Sequence, residues 1–138
     1  MQANVYLMFK GNCEEAINYY ATVTGGTIEA MTTHKGTPAE DHTPPEWQGK
    51  ILHARLKIGD TRIMASDAPP GRQHKETGGF CVSLGVDTPA EAERIFAALC
   101  DGAGAPFMPM APTFFAERFG MVTDRFGTPW MVICESAA

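Results

Sequence analysis

The sequence has little of what would tie it to a membrane, a nucleic acid or an oxidising compartment. Four cysteines occur in 138 residues, Cys13, Cys81, Cys100 and Cys134, with no CxxC or other ligand-type spacing. Each sits in or beside an apolar segment, so buried reduced thiols are expected rather than a disulfide framework. Basic residues are few, 11 against 16 acidic ones for a net charge of −5, and they are scattered. This argues against a phosphate-backbone footprint and against nucleic acid as the partner. No apolar run approaches the roughly 18 residues of a membrane span, and the opening MQANVYLMFK lacks the basic and apolar regions of a secretory signal. A cytoplasmic protein without a membrane partner is the expectation. Also missing is a Gly-rich strand-to-helix loop of the kind that holds a nucleotide-like cofactor, and no cofactor is expected.

What is present is an ordinary globular composition, 44% hydrophobic and 20% charged. The length suits one domain, residues 1–138, which can bury roughly two-thirds of its unfolded surface without staples. Val5 to Phe9 reads as a strand. Asn12 and Glu15 form a capping-box pattern, Ala16, Ile17, Tyr20 and Val23 follow at helical spacing, and Gly25-Gly26 stops the helix. Thr27 to Thr33 is β-branched enough for a strand. Residues 34–50 carry too many prolines and glycines for a regular element and predict a long loop able to act as a lid. Ile51 to Ser66 is a hairpin about Gly59-Asp60, with a two-residue turn setting Arg55 opposite Met64 and His53 opposite Ser66. Its other face, with Leu52, Leu56, Ile63 and Ala65, is assigned to a helix.

After a loop at 67–78 the pattern restarts. Phe80 to Val86 is strand-like, and Thr88, Pro89 and Glu91 give an N-cap, an N1 proline and a capping-box Glu. Ala92, Ile95, Phe96 and Leu99 form the apolar stripe, and Gly102 ends it. Strand-like segments follow at 105–110, 114–123 and 128–134, with the turn DRFG before the last; there Gly127 is assigned the positive-φ position and Trp130 the helix side. Asn12 and Thr88, Ala16 and Ala92, Tyr20 and Phe96, Gly26 and Gly102 are each 76 positions apart. A shared offset across cap, stripe and stop is a repeat. The fold class is therefore α+β, two tandem βαβββ modules (about 1–70 and 76–138) forming a curved mixed sheet around a shared concave cavity.

Paired modules, AINYY followed by Gly25-Gly26, and DRFGTPW near the end resemble the vicinal oxygen chelate superfamily of glyoxalases, bleomycin-resistance proteins and extradiol dioxygenases. ILHARLKIGDTRIMASD, the MPM of 108–110 and FGMVTDRFGTPWMV most resemble its PhnB-like group, which also carries a 3-demethylubiquinone methyltransferase label. The missing cofactor loop gives methyl transfer no support. The resemblance implies a glyoxalase fold, a homodimer and a small-molecule ligand. It also implies a divalent metal held by His, Gln or Glu on the first and last strands of each module. Carried over by position, those places fall on Val5, Met64, Cys81 and Met131. Valine cannot coordinate and thioethers are poor ligands for hard ions, so no metal is expected.

Candidate cavity residues are Val5, Leu7, His53, Arg55, Arg62, Met64, Ser66, Cys81, Ser83, Phe115, Phe119 and Met131. His53 can act as a general base or simply be a satisfied structural histidine. Arg55 can clamp an anion or form an ion pair. Cys81 is a candidate nucleophile if His53 lies in reach. Asp67 is better suited to capping than to acid–base work. His42, beside Glu40 and Asp41 in the long loop, can bind a metal or simply be solvated; His34 and His74 show no partner in sequence, and Trp47 can close over a ligand or anchor its loop. The expected function is binding of a small, partly apolar molecule between the modules without metal. Two alternatives stay open: a metal-dependent lyase, isomerase or dioxygenase with a rearranged ligand set, and a structural or regulatory homodimer.

Overall fold

A computed structural model describes residues 1–68 and 77–135; most of the loop expected at 67–78, with His74, lies outside them. The chain divides into two compact units, Met1–Lys75 and Glu76–Ala138. Module one contains β1 (Val5–Phe9), α1 (Cys13–Thr24), β2 (Thr27–Thr33), β3 (Ile51–Ile58) and β4 (Thr61–Asp67). Module two contains β5 (Val82–Gly85), α2 (Pro89–Cys100), β6 (Met108–Ala111), β7 (Ala116–Thr123) and β8 (Pro129–Glu135). Both sheets run first–fourth–third–second strand, with the first and fourth parallel and the other pairs antiparallel. The architecture is α+β, two βαβββ modules in tandem, with α1 and α2 starting 76 residues apart as the repeat requires.

Each sheet buries one face beneath its own helix. In module one, Ala16, Ile17, Tyr20 and Val23 of α1 are buried, as are Leu7, Phe9, Ala54, Leu56, Ile63 and Ala65 of the strands. In module two the corresponding residues are Ala92, Ile95, Phe96 and Leu99 of α2, with Val122, Trp130 and Val132. Each fully buried Ile, Leu or Phe of this kind contributes about 1.5–3 kcal/mol. Gly120 admits α2 closely: a Cβ built there would stand 2.7 Å from Phe96 Cε1.

The helix starts differ from the sequence reading in one instructive way. Thr88 caps α2 as expected, its Oγ1 accepting from Glu91 N at 3.2 Å. Asn12 makes no side-chain cap. Instead Asp67, at the end of β4, accepts from Cys13 N at 3.0 Å and Gly11 N at 2.8 Å through Oδ1, and from Ile51 N at 2.9 Å through Oδ2. One buried carboxylate thus ties the entry of α1 to the start of β3, the capping role expected of it. In module two Asp124 ties its turn similarly, accepting from Phe126 N and Thr128 N at 2.9 Å and from Trp130 Nε1 at 2.8 Å. Gly127 takes φ 92° there, and Trp130 is buried on the helix side, both as expected.

The 34–50 segment contains two short 3-10 turns, Pro38–His42 and Pro45–Trp47, where no regular element was expected. Prolines at the first positions start these turns without losing a hydrogen bond. The segment is fastened at both levels. Gln48 Nε2 donates to the carbonyls of Glu40 and Thr43, Lys50 Nζ donates to Gly11 O at 3.0 Å, and the Trp47 ring packs on Gly11. Trp47 packs as an anchor for the loop, which these bonds hold against module one.

Candidate functional site

The side chains with chemistry stand on the helix-free face of each sheet. Cross-strand partners share a face. In module one Tyr6 pairs with Met64, Met64 with Arg55, and Met8 with Ser66. His53 joins them by alternation, its Nδ1 lying 3.1 Å from Tyr6 Oη. Val5 and Leu7 instead pair with Ile63 and Ala65, and Leu7 is only 4% exposed, beneath α1. The expected placement of Val5 and Leu7 in the cavity is therefore corrected by one residue: Tyr6 and Met8 hold those positions. The run VYLMF is apolar throughout, so its phase comes from parallel pairing with β4 rather than from its own pattern.

The two arginines are partnered by a residue that the sequence reading did not single out. Glu29 occupies a bulge of β2 between Ile28 and Ala30. Its carboxylate accepts from Arg62 Nε at 2.7 Å and pairs with Arg55 Nε at 3.3 Å. The Arg62 guanidinium holds the Glu29 carboxyl below the ordinary range. Of the two roles left open for Arg55, the ion pair is the one found. The signal for Glu29 was there: a lone acid in TIEAMTT on a strand beside the Arg55 strand.

In module two Ser83 and Met121 both pair with Met131, and Phe119 pairs with Ile133. Cys81 joins Ser83 and Met131 on this face by alternation. Phe115 packs edge-on against Phe119, and Phe114 against Phe115, both at 5.1 Å between ring centroids. Phe80, Cys81, Phe107, Met121, Pro129 and Trp130 wall an apolar pocket of about 380 Å³. His53 and Cys81 belong to different modules, and each module by itself supplies only one of that pair.

The other cysteines are chemically quiet. Burial, with Asp67 and Glu14 nearby, pushes the Cys13 thiol up to about 12, and burial likewise raises Cys100 and Cys134. A thiolate is disfavoured at each, which suits packing rather than nucleophilic work.

The metal positions implied by the resemblance fit no better after the phase correction. Tyr6 replaces Val5 opposite Met64, and Ser83 rather than Cys81 stands opposite Met131. A phenol, a hydroxyl and two thioethers are not the imidazole and carboxylate donors that a borderline or hard divalent ion requires. Among the described residues no three His, Cys, Asp or Glu side chains gather where an ion could be held.

A family model described as 3-demethylubiquinone-9 3-methyltransferase matches residues 2–133. Protein YjdN of Escherichia coli (strain K12) is 34% identical over 140 residues, covering 96% of this chain and 94% of that one. The structure of protein PA1353 from Pseudomonas aeruginosa superimposes with a TM-score of 0.90 at 47% identity, covering 99% of both chains. A Bacillus cereus structure titled as a putative 3-demethylubiquinone-9 3-methyltransferase, PhnB protein, has the same fold, with a TM-score of 0.81 at 21% identity over 97% of this chain and 99% of that one. A glyoxylase/bleomycin resistance protein/dioxygenase domain from Frankia sp. shares the fold more distantly, with a TM-score of 0.67 at 13% identity over 99% and 98% of the two chains.

Proposed function

The chain belongs to the PhnB-like family described as 3-demethylubiquinone-9 3-methyltransferase, and from that membership we propose that it binds a small, partly apolar molecule on the helix-free faces of its sheets, without a divalent metal. The observation that carries this reading is the apolar pocket of about 380 Å³ in module two, to which Cys81 and Met121 contribute from the helix-free face, with Phe80 and Phe107 also lining it. Its size falls in the range of small-molecule sites, and thioethers and aromatic rings adapt to a flat apolar body. Cys81 and Ser83 supply the few polar atoms on that face. In module one Tyr6 fixes the His53 ring, which suits His53 to a ligand hydrogen bond.

The family's description does not carry over as an activity. The amides at the entry of α1, where a doubly wound fold would seat a cofactor's phosphate, are occupied by Asp67. Phe107 and Phe114, 81% and 99% exposed, support assembly as a homodimer in which a second copy covers such rings. A sedimentation mass equal to the 14.9 kDa of a single chain would count against that assembly.

A thermal-shift panel of small aromatic hydrocarbons, run in EDTA, tests the binding reading. Ligands that bind the folded form raise the melting temperature. Met121→Trp, which fills the pocket, removes the shift while leaving the protein folded. Stabilisation that appears only with stoichiometric Ni, Zn, Mn or Fe would overturn the reading.

A further inference from the structure

We propose that module one carries a second binding site, for a neutral molecule with a hydroxyl on a small apolar body, in the cavity roofed by residues 34–50. The proposal is independent of the module-two pocket. The cavity measures about 560 Å³. Met8 and Ser66 reach it from the sheet, Ala39 and Pro44 from the cover, and Leu52 from a bulge. The bulge is the reason for the last: Ile51 pairs with Thr33 and His53 with Thr32, so Leu52 is the extra residue and leaves the helix side to which alternation assigns it.

The chemistry of the occupant follows from His34, which lines the cavity and is only 3% exposed. Its Nδ1 lies 3.0 Å from the Lys50 carbonyl oxygen. A carbonyl accepts only, so Nδ1 carries a proton, and in the uncharged tautomer Nε2 is left as an acceptor facing the cavity. Among the described residues no further hydrogen bond satisfies that nitrogen. A ligand donor is what it lacks.

The same lining argues for a neutral ligand. No Lys, Arg or Glu borders the cavity, and both oxygens of its one carboxylate, Asp67, are spent on backbone amides. Ser66 Oγ reaches only the Met8 sulfur, at 3.6 Å, a weak acceptor that a ligand oxygen would readily replace. His42 adds a second, exposed imidazole. A single hydroxyl donating to His34 Nε2 and accepting from Ser66, with the apolar body against Met8, Leu52 and Pro44, gives both of those polar groups a partner.

Phenol and anisole, nearly the same shape with and without the donor, are the probes. They are titrated into Met121→Trp protein, in which the module-two pocket is filled, so that failure here is separable from failure there. Phenol is expected to shift the amide resonances of Ala39, Leu52 and Ser66 and to bind about fivefold more tightly than anisole, the worth of one hydrogen bond. His34→Asn keeps a donor for the Lys50 carbonyl and removes the acceptor at the Nε2 position, its own amide oxygen stopping short of it, and should make the two probes equal. Ala39→Met, which pushes a thioether from the cover into the cavity, should weaken the phenol shifts and serves if His34→Asn does not fold. Equal affinities in the parent protein, or phenol shifts that avoid those amides, would overturn the proposal.

Discussion

Replacing Asp67 should expose how much of module one hangs on a single side chain. The carboxylate is 2% exposed and holds three backbone N–H groups, of Gly11, Cys13 and Ile51, at 2.8–3.0 Å. Asp67→Ala leaves all three donors without a partner. At about 1–3 kcal/mol for each stranded buried donor, and with water reaching the half-buried Gly11, the expected loss is about 4 kcal/mol. That is a large part of the roughly 5–15 kcal/mol that holds a domain folded. Asp67→Asn discriminates further. Its one oxygen can keep the two bonds made by Oδ1, which leaves the amide NH2 facing the Ile51 N–H, donor against donor. The loss should then be about 2 kcal/mol and local. Urea unfolding gives the totals; at a slope of about 2 kcal/mol per molar, the alanine variant shifts the midpoint by about 2 M. Amide exchange gives the location: in Asp67→Asn, Ile51 should lose protection while Cys13 keeps it. An alanine variant within about 1 kcal/mol of the parent, or unchanged Ile51 exchange in the asparagine variant, would refute the reasoning.

Other substitutions probe separate parts of the fold. Gly120→Ala pushes a methyl against Phe96 and should cost about 1–3 kcal/mol in urea unfolding, most of it recovered by Phe96→Leu. Glu29 should titrate below the ordinary carboxylate range by NMR and move back toward it in Arg62→Ala, with Arg55 still lowering it. Because the folded value is the lowered one, the ion pair's contribution to stability is present above the ordinary range and fades as pH falls through the lowered value. Under native conditions Cys13, its thiol pushed up to about 12, should resist alkylation that reaches the half-buried Cys81, as read by peptide mass mapping; equal labelling would contradict its burial.

Much of this architecture could be read before any coordinates, and the exceptions share a cause. Val5–Phe9, Thr27–Thr33 and the hairpin register, Arg55 opposite Met64, match the sequence reading because short apolar or β-branched runs and the residues that bound or turn them specify them. The helix offset survives because cap, stripe and stop signals lie close together in the chain. What escaped depends on partners far away. The phase of β1 is decided by β4, the cap of α1 is Asp67 rather than the adjacent Asn12, and Leu52 turns toward the cover because of a bulge opposite β2. Glu29 stood out in sequence only as a lone acid on a strand, and its arginine partners became readable once β2 and β3 were in register. For the candidate site, Cys81 and Ser83 of the module-two face were legible from period two and Met131 from the resemblance, whereas in module one Val5 and Leu7 had to yield to Tyr6 and Met8.

The two caps also set a timetable. Thr88 reaches an amide three residues away, so α2 can begin from its own local chain. The carboxylate that completes α1 comes from 54 residues away, and the chain must close that loop before the bond exists. Repeats that look alike when folded should therefore assemble in different orders: α2 starting as a local nucleus, and the entry of α1 fastening only when β4 docks. In kinetic terms, weakening the Thr88 cap should slow folding, while weakening the Asp67 clasp should chiefly hasten unfolding. A duplicated module has kept its shape and changed the moment at which it closes.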